Sequence, residues 1–405
     1  MEHPSETSKE IPELWLPVPL EMCMKTYMKT YCWFTRNRLA RLAPALVVLV
    51  ALAISAQLSA QDQHGYTFIE FNTPGFQDTF PQDINPRGTI VGYARSAINT
   101  GPAFVRAPNG AITTFEAPGA IVTTAFSINP AGAIAGAYLV PNNTFHGFLR
   151  APGGAITTFD APGAGTDPGT GTSAQNINPA GTIAGRSFDN NFVQHGFVRA
   201  RDGTITTYDG PGAGTGPFQG TFPAIQDGIN SAGAITGSIW DGSDVFHGFV
   251  RAPDGTITTF DVSGAGIGAF QGTLPGGINE PGAIDGAYVD ASDVYHGFVR
   301  ALNGIITAFD VPGAGTGAFQ GTIPANINNP GAIDGSYIDA SDVVHGFVRA
   351  PDGSITTFDP PGAGTGPGQG TFPDGINDAG AITGYYIDNN DAIHGFLRTR
   401  THGTP

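Results

Sequence analysis

Polar and apolar positions recur in one fixed order along residues 66–400. Short runs rich in Ile, Val, Phe, Tyr and Thr alternate with clusters of Gly, Pro, Asn and Asp, the composition of strands and of turns respectively. The motif I-N-x-x-G-x-I-x-G begins at Ile84, Ile128, Ile177, Ile229, Ile278, Ile327 and Ile376. A second motif, usually H-G-F-[VL]-R, places its Phe at Phe104, Phe148, Phe197, Phe249, Phe298, Phe347 and Phe396. Both give seven copies, and the Phe spacings are 44, 49, 52, 49, 49 and 49 residues. That is the length of a four-stranded propeller blade and too long for one coil of a small solenoid.

The copy starting at Ile327 shows how four strands fit. The first strand ends at Ile327, and Asn328-Asn329-Pro330-Gly331 turns the chain; Asn-Pro-x-Gly, as at Asn129, is a type I turn signature, which gives the seven Asn residues a turn role. A second strand follows as AIDGSYID, residues 339–342 turn into a third, VHGFVRA, and Pro351-Asp352-Gly353 leads into a fourth, SITTFD. A three-residue hairpin with Gly in the left-handed position fits this last turn.

That hairpin fixes a register. With Ala350 opposite Ser354, His345 faces Asp359, and the same offset pairs His296 with Asp310, His247 with Asp261, His195 with Asp209 and His146 with Asp160. In the first copy Pro102 stands for His and Glu116 for Asp, so the two positions change together. Counting strands leaves a lone fourth strand, residues 66–72, at one end and an incomplete unit at the other. The expectation is an all-β, seven-bladed β-propeller with four strands per blade, closed by the N-terminal strand, which would put Asn72 opposite His394 and remove an exposed edge.

Composition agrees with many short strands. There are 59 Gly, 32 Pro and 27 Phe, with 13% charged and 40% apolar residues, which disfavours a disordered tail, a coiled coil, collagen or a helix-rich enzyme. Residues 1–60 differ from the rest: Lys25, Lys29, Arg36, Arg38 and Arg41 precede an apolar run at residues 42–54 and then small residues up to Ala60. This reads as an N-terminal extension and secretory signal cleaved near Ala60, with Met24 or Met28 as alternative starts. An uncleaved anchor is the alternative, although the run is short for a bilayer span.

The second domain, residues 61–405, is then the propeller. Six of 18 basic and five of 34 acidic residues precede it, leaving 12 and 29 and a net charge of −17. All 12 basic residues are Arg, and both Cys23 and Cys32 lie in the extension. Disulfides, thiolate metal sites and a cysteine nucleophile are excluded from the second domain. The acidity argues against nucleic acid and anionic membranes as partners, with membrane contact only if the signal is uncleaved. The expected location is secreted, periplasmic or cell-surface, as a monomer.

The combination of I-N-x-x-G-x-I-x-G with H-G-F-[VL]-R resembles the bacterial extracellular repeats named for a His-Ala-Phe motif, the HAF repeat, over nearly all of residues 66–400. The chain departs from the family at Gly346, where the family has Ala, and at Arg349, where it often has an aromatic residue. The resemblance implies export and a repeat architecture, and it implies no reaction.

Candidate chemistry sits at recurrent positions. Third strands lie about 10 Å outward of the innermost ones, so the His residues of neighbouring units are too far apart to share a zinc ion. Each His with its Asp reads as a buried structural pair, and the recurrent Arg from Arg106 to Arg398 as a partner of rim carboxylates or backbone carbonyls. The loop between second and third strands offers Asp241 and Asp244, Asp290 and Asp293, Asp339 and Asp342, and Asp388 and Asp391. Such pairs suit a plain turn; they also suit calcium as a cofactor. These loops and the long Gly-rich connections share one face, bringing Gln219, Gln271, Gln320 and Gln369 beside the aspartates around the channel mouth, where an extracellular glycan or protein ligand could bind.

No H-E-x-x-H, G-x-S-x-G, phosphate loop or Cys–His motif occurs in residues 61–405, so no catalytic residue is assigned. The leading reading is an exported binding or scaffold module whose ligand is a glycan or cell-envelope polymer. The alternatives are a carbohydrate-active lyase or hydrolase on the same fold and a calcium-stabilised surface protein. A singular catalytic site would be sought where the repeat is irregular, at Pro102 and Glu116 or at Asp189-Asn190-Asn191.

Overall fold

Each repeat folds into one antiparallel sheet, and the unit around Phe347 illustrates why. In the computed structural model, which describes residues 59–61, 65–225 and 227–401, its strands are Gly321–Ile327, Ile333–Ile338, Val344–Arg349 and Ile355–Phe358. The Asn328 side chain accepts the Ala332 amide at 2.8 Å and Gly331 takes φ +89°, which closes the first hairpin. The last hairpin turns at Gly353, also at φ +89°, and sets Arg349 opposite Ile355 and Phe347 opposite Thr357. The same four-strand order recurs along an all-β chain that has no helix among the described residues.

Units are tied together where one passes into the next. Val344 pairs in parallel with Gly370, the first residue of the following unit, and its amide reaches the Gln369 carbonyl at 2.9 Å. Gly370 sits at φ +116°, and a Cβ there would collide with the Val344 carbonyl oxygen, so only glycine allows this close approach. The two chain ends meet as well. Strand Tyr66–Phe71 runs antiparallel to Ile393–Arg400, from Tyr66 opposite Arg400 to Phe71 opposite Gly395, and a short strand Ser59–Gln61 pairs on its outer side. The extension and signal expected in residues 1–60 lie outside the described residues but for that strand, which straddles the expected cleavage point.

The core lies between sheets. A Phe on each third strand meets an aromatic ring on the fourth strand of the preceding unit edge-on, as in Phe148 on Phe115 at 5.9 Å, Phe347 on Phe309 at 6.1 Å and Phe396 on Phe358 at 6.2 Å. At the junction of the chain ends, Phe104 meets Phe71 at 6.2 Å. Two of the recurrent Arg residues meet a backbone carbonyl, as expected: Arg251 donates to Ala252 at 3.4 Å and Arg349 to Ala350 at 3.5 Å. Each guanidinium also lies over an aromatic ring, which the sequence did not predict: Arg106 over Phe71 at 4.8 Å, Arg150 over Phe115 at 4.7 Å, Arg300 over Phe260 at 4.9 Å and Arg398 over Phe358 at 4.5 Å. The ring that fills the gap between sheets presents its face to the cation, so packing and charge stabilise one contact together.

The turn asparagines do more than cap turns. Through its amide nitrogen each one donates to the backbone carbonyl of its counterpart in the next unit: Asn85 to Asn129, Asn129 to Asn178, Asn178 to Asn230, Asn230 to Asn279, Asn279 to Asn328, Asn328 to Asn377, and Asn377 back to Asn85 at 3.2 Å. The bonds form a closed cycle around a cavity of about 130 Å³.

Candidate functional site

On the face opposite the asparagine cycle, the loop after each second strand is held by its own first aspartate. Asp241 accepts the amides of Ser243 and Val245, each at 2.8 Å, and Asp290, Asp339 and Asp388 repeat the pattern. Partial burial opposes ionisation of Asp241, Asp290 and Asp388, but the turn amides and the nearby His outweigh it and hold these carboxyls below their ordinary value.

The second aspartate of each loop faces elsewhere. Asp244, Asp293, Asp342 and Asp391 sit in the left-handed region, and each accepts the side-chain amide of Gln219, Gln271, Gln320 or Gln369, at 2.7 to 2.9 Å. The structure thus brings each Gln to the second Asp of its loop, whereas the two aspartates of one loop serve different partners. Among the described residues no group of three or more His, Cys, Asp or Glu could hold a metal ion directly.

Each repeat His lies beside its fourth-strand Asp, with Nδ1–carboxylate distances of 3.0 Å for His146–Asp160, 2.9 Å for His195–Asp209, 3.0 Å for His247–Asp261, 2.9 Å for His296–Asp310 and 2.7 Å for His345–Asp359. His394 has Asn72 at 3.1 Å and Glu70 at 3.4 Å. In five units Nε2 also faces the first loop aspartate, as in His247–Asp241 at 3.5 Å. These pairs are not buried, contrary to the sequence expectation: the imidazoles are 22–33% exposed and their aspartates 39–57%. The fourth strand is the outermost, so its end is open to water. The hydrogen bond donated to Asp209 raises the pKa of His195, and that donated to Asp359 raises the pKa of His345.

Two features of the molecule escaped sequence reasoning. The first is a run of aromatic residues on the loop face. Phe218, Phe270 and Phe319 take φ of +72°, +67° and +67°, a region that costs a side-chain-bearing residue about 1–2 kcal/mol. Equivalent positions in two other units are Gly169 and Gly368, also at positive φ. Phe218 is buried and packs on Phe192 at 5.6 Å, Phe270 packs on Trp240 at 5.7 Å, and Phe192, Phe270 and Phe319 are partly buried. The available signal was Phe in F-Q-G-T where another copy has Gly.

The second is a set of five acids, one from each of five units. Asp83, Asp227, Asp285, Asp334 and Asp374 occupy positions where the repeats differ from one another. Burial pushes Asp83 up to about 6 against the pull of the Ile128 amide, and Asp285 up to about 7 against that of Gly277. Burial, reinforced by the neighbouring carboxylates, raises Asp227 well above its ordinary value, and burial outweighs the Asn326 hydrogen bond to do the same for Asp334. None of them coincides with Pro102 or Asp189-Asn190-Asn191, the irregular places that stand out in the repeat.

No protein-family model and no curated protein matches the chain. Solved structures do. The lectin BP39L from Burkholderia pseudomallei is similar with a TM-score of 0.52 at 10% identity, covering 81% of this chain and 98% of the lectin. A fungal lectin from Aleuria aurantia, described as a six-bladed β-propeller, has a TM-score of 0.37 at 9% identity over 71% of this chain and 94% of its own. TolB from Acinetobacter baumannii scores 0.39 at 10% identity over 77% and 80%. The fold is an all-β repeat of the propeller kind.

Proposed function

We propose that the protein is an exported, seven-bladed β-propeller, closed by strand Tyr66–Phe71, that acts as a binding or scaffold module for a glycan or cell-envelope polymer. The blade count is supported by the seven-membered asparagine cycle and closure by the pairing of Tyr66–Phe71 with Ile393–Arg400. Export rests on the basic and apolar pattern before residue 61 and on the resemblance to HAF repeats. One observation carries the binding role: the loop face holds the partly exposed Phe270 and Phe319 in strained backbone beside fixed Asp–Gln pairs. Strain of this kind persists where it presents a side chain, and flat apolar rings flanked by oriented carboxylates and amides match the alternating apolar faces and hydroxyls of a sugar polymer.

A screen of glycans and cell-envelope polymers, scored for binding and for cleavage products, tests this reading. The expected result is retention without cleavage, weakened at least tenfold by Phe270→Ala together with Phe319→Ala. Equal retention by that variant, or no retained polymer, would overturn the assignment, and cleavage products would move it to the lyase or hydrolase reading.

A further inference from the structure

Four of the repeat histidines meet an aspartate at each ring nitrogen. Nδ1 of His195, His247, His296 and His345 lies 2.7 to 3.0 Å from Asp209, Asp261, Asp310 or Asp359 on the fourth strand. Nε2 lies 3.5 to 3.6 Å from Asp241, Asp290 and Asp339 in the loop after the second strand, and 4.0 Å from Asp189. From the second strand, Tyr288 and Tyr337 stack on their imidazoles at 4.9 Å, while His195 and His247 stand opposite Ser187 and Ile239. Burial raises both phenols above their ordinary value, so they stay neutral.

The loop carboxylate divides its two oxygens. Oδ1 of Asp189, Asp241, Asp290 and Asp339 accepts the turn amides of its own loop, and Oδ2 faces the imidazole. An imidazole has two N–H donors only when protonated. Charged, it donates to both sides; neutral, it keeps one proton for the nearer fourth-strand carboxylate and turns a lone pair toward Oδ2 of the loop. The other two repeat histidines lack this arrangement. Nε2 of His146 meets the Thr144 hydroxyl at 3.3 Å, in a loop that carries Asn142 and no aspartate. Nδ1 of His394 lies 3.1 Å from the Asn72 amide nitrogen, which donates to the neutral ring and leaves Nε2–H for Asp388 at 3.5 Å.

We propose that His195, His247, His296 and His345 are pH-operated braces: as imidazolium each ties the fourth strand of its sheet to the loop after the second strand, and as neutral imidazole each releases that loop. The sign follows from the folded state. The hydrogen bond to the fourth-strand aspartate, and after it the charges of both aspartates, hold His195 and His345 above the ordinary imidazole value of 6.5 against the opposing effect of burial. With the folded value above the unfolded one, the brace is fully present below about 6.5 and is lost as pH rises through the folded value. The four imidazoles are 23–33% exposed, so water screens each contact and the effect stays local to its loop. In three of these units the braced loop also carries the aspartate that holds Gln219, Gln271 or Gln320. The loop face is therefore firmest in mildly acidic surroundings.

The test is hydrogen exchange of the full chain, read by mass spectrometry at about pH 5.5 and about pH 8.5, on either side of the ordinary imidazole range, and corrected for the intrinsic pH dependence of exchange. Segments 189–193, 241–245, 290–294 and 339–343 should each lose about two- to fivefold of their protection at the higher pH, the size expected of a screened contact. Segments 140–144 and 388–392, beside His146 and His394, should keep theirs, and because they share any global change in stability they isolate the local one. Asp339→Asn retains the oxygen that accepts the turn amides and should remove or reverse the loss in 339–343 alone. An equal pH response in 140–144 and the four braced loops, which needs no variant to observe, would overturn the proposal. So would a loss of protection in 339–343 that persists at full size in Asp339→Asn.

Discussion

Phe71→Ala probes the closure of the ring. Phe71 belongs to the strand farthest in sequence from its sheet neighbours, yet it is only 6% exposed, meets Phe104 edge-on at 6.2 Å and lies under the Arg106 guanidinium at 4.8 Å. Truncating a buried Phe costs about 3–5 kcal/mol, and losing a partly desolvated cation–π contact adds about 1 kcal/mol. A total of about 4–6 kcal/mol corresponds to a fall in Tm of roughly 6–9 °C for a domain of this size. Phe358 supplies the comparison: it is 7% exposed, meets Phe396 at 6.2 Å and carries Arg398 at 4.5 Å, at a junction within the chain. Urea and thermal unfolding followed by the fluorescence of Trp240, the only Trp after residue 60, should give Phe71→Ala and Phe358→Ala losses equal within about 1 kcal/mol. A Phe71→Ala loss below about 0.5 kcal/mol, the range of an exposed substitution, beside a full loss for Phe358→Ala would refute closure by the N-terminal strand.

Asp285 protonates at about 7 in the folded chain against an ordinary 3.8, so folding favours its neutral form. The stability it contributes is fully present below about pH 4 and lost as pH rises through 7, a change on the order of 4 kcal/mol that Asp285→Asn should remove from urea titrations. Asn328→Asp keeps the oxygen that accepts the Ala332 amide but replaces the donor to the Asn377 carbonyl; a loss of about 1–3 kcal/mol is expected, greater at pH 8 than at pH 4. His345 should keep its proton above the ordinary imidazole range in an NMR titration, and Asp359→Asn should return it to that range. Because its folded pKa is raised, the stability it contributes is present below the unfolded value and lost as pH rises through the folded one.

Strand identity, unit length and hairpin register were legible in the sequence because they are local. Alternation gives the strands, turn residues end them, and a Gly-bearing three-residue loop fixes which residues face each other, as at Arg349 and Ile355. Relations between sheets were not legible. The sequence offered the Arg residues carboxylates or backbone carbonyls, and only the neighbouring sheet put an aromatic ring beneath each; the turn asparagines looked self-contained until a carbonyl 49 residues away came within reach of Asn328. Nothing in the local pattern distinguishes Asp285 on a strand from any solvent-facing aspartate. Its neighbours Asp227 and Asp334 come from other units, and only the closing of the sheets around an axis removes water from between them. The sequence by itself determined the repeating element and its pairing, since both follow from periodicity within about 50 residues. The tertiary structure alone decided which side chains share the axis and which contacts bind one sheet to the next, because those depend on distances that periodicity does not specify.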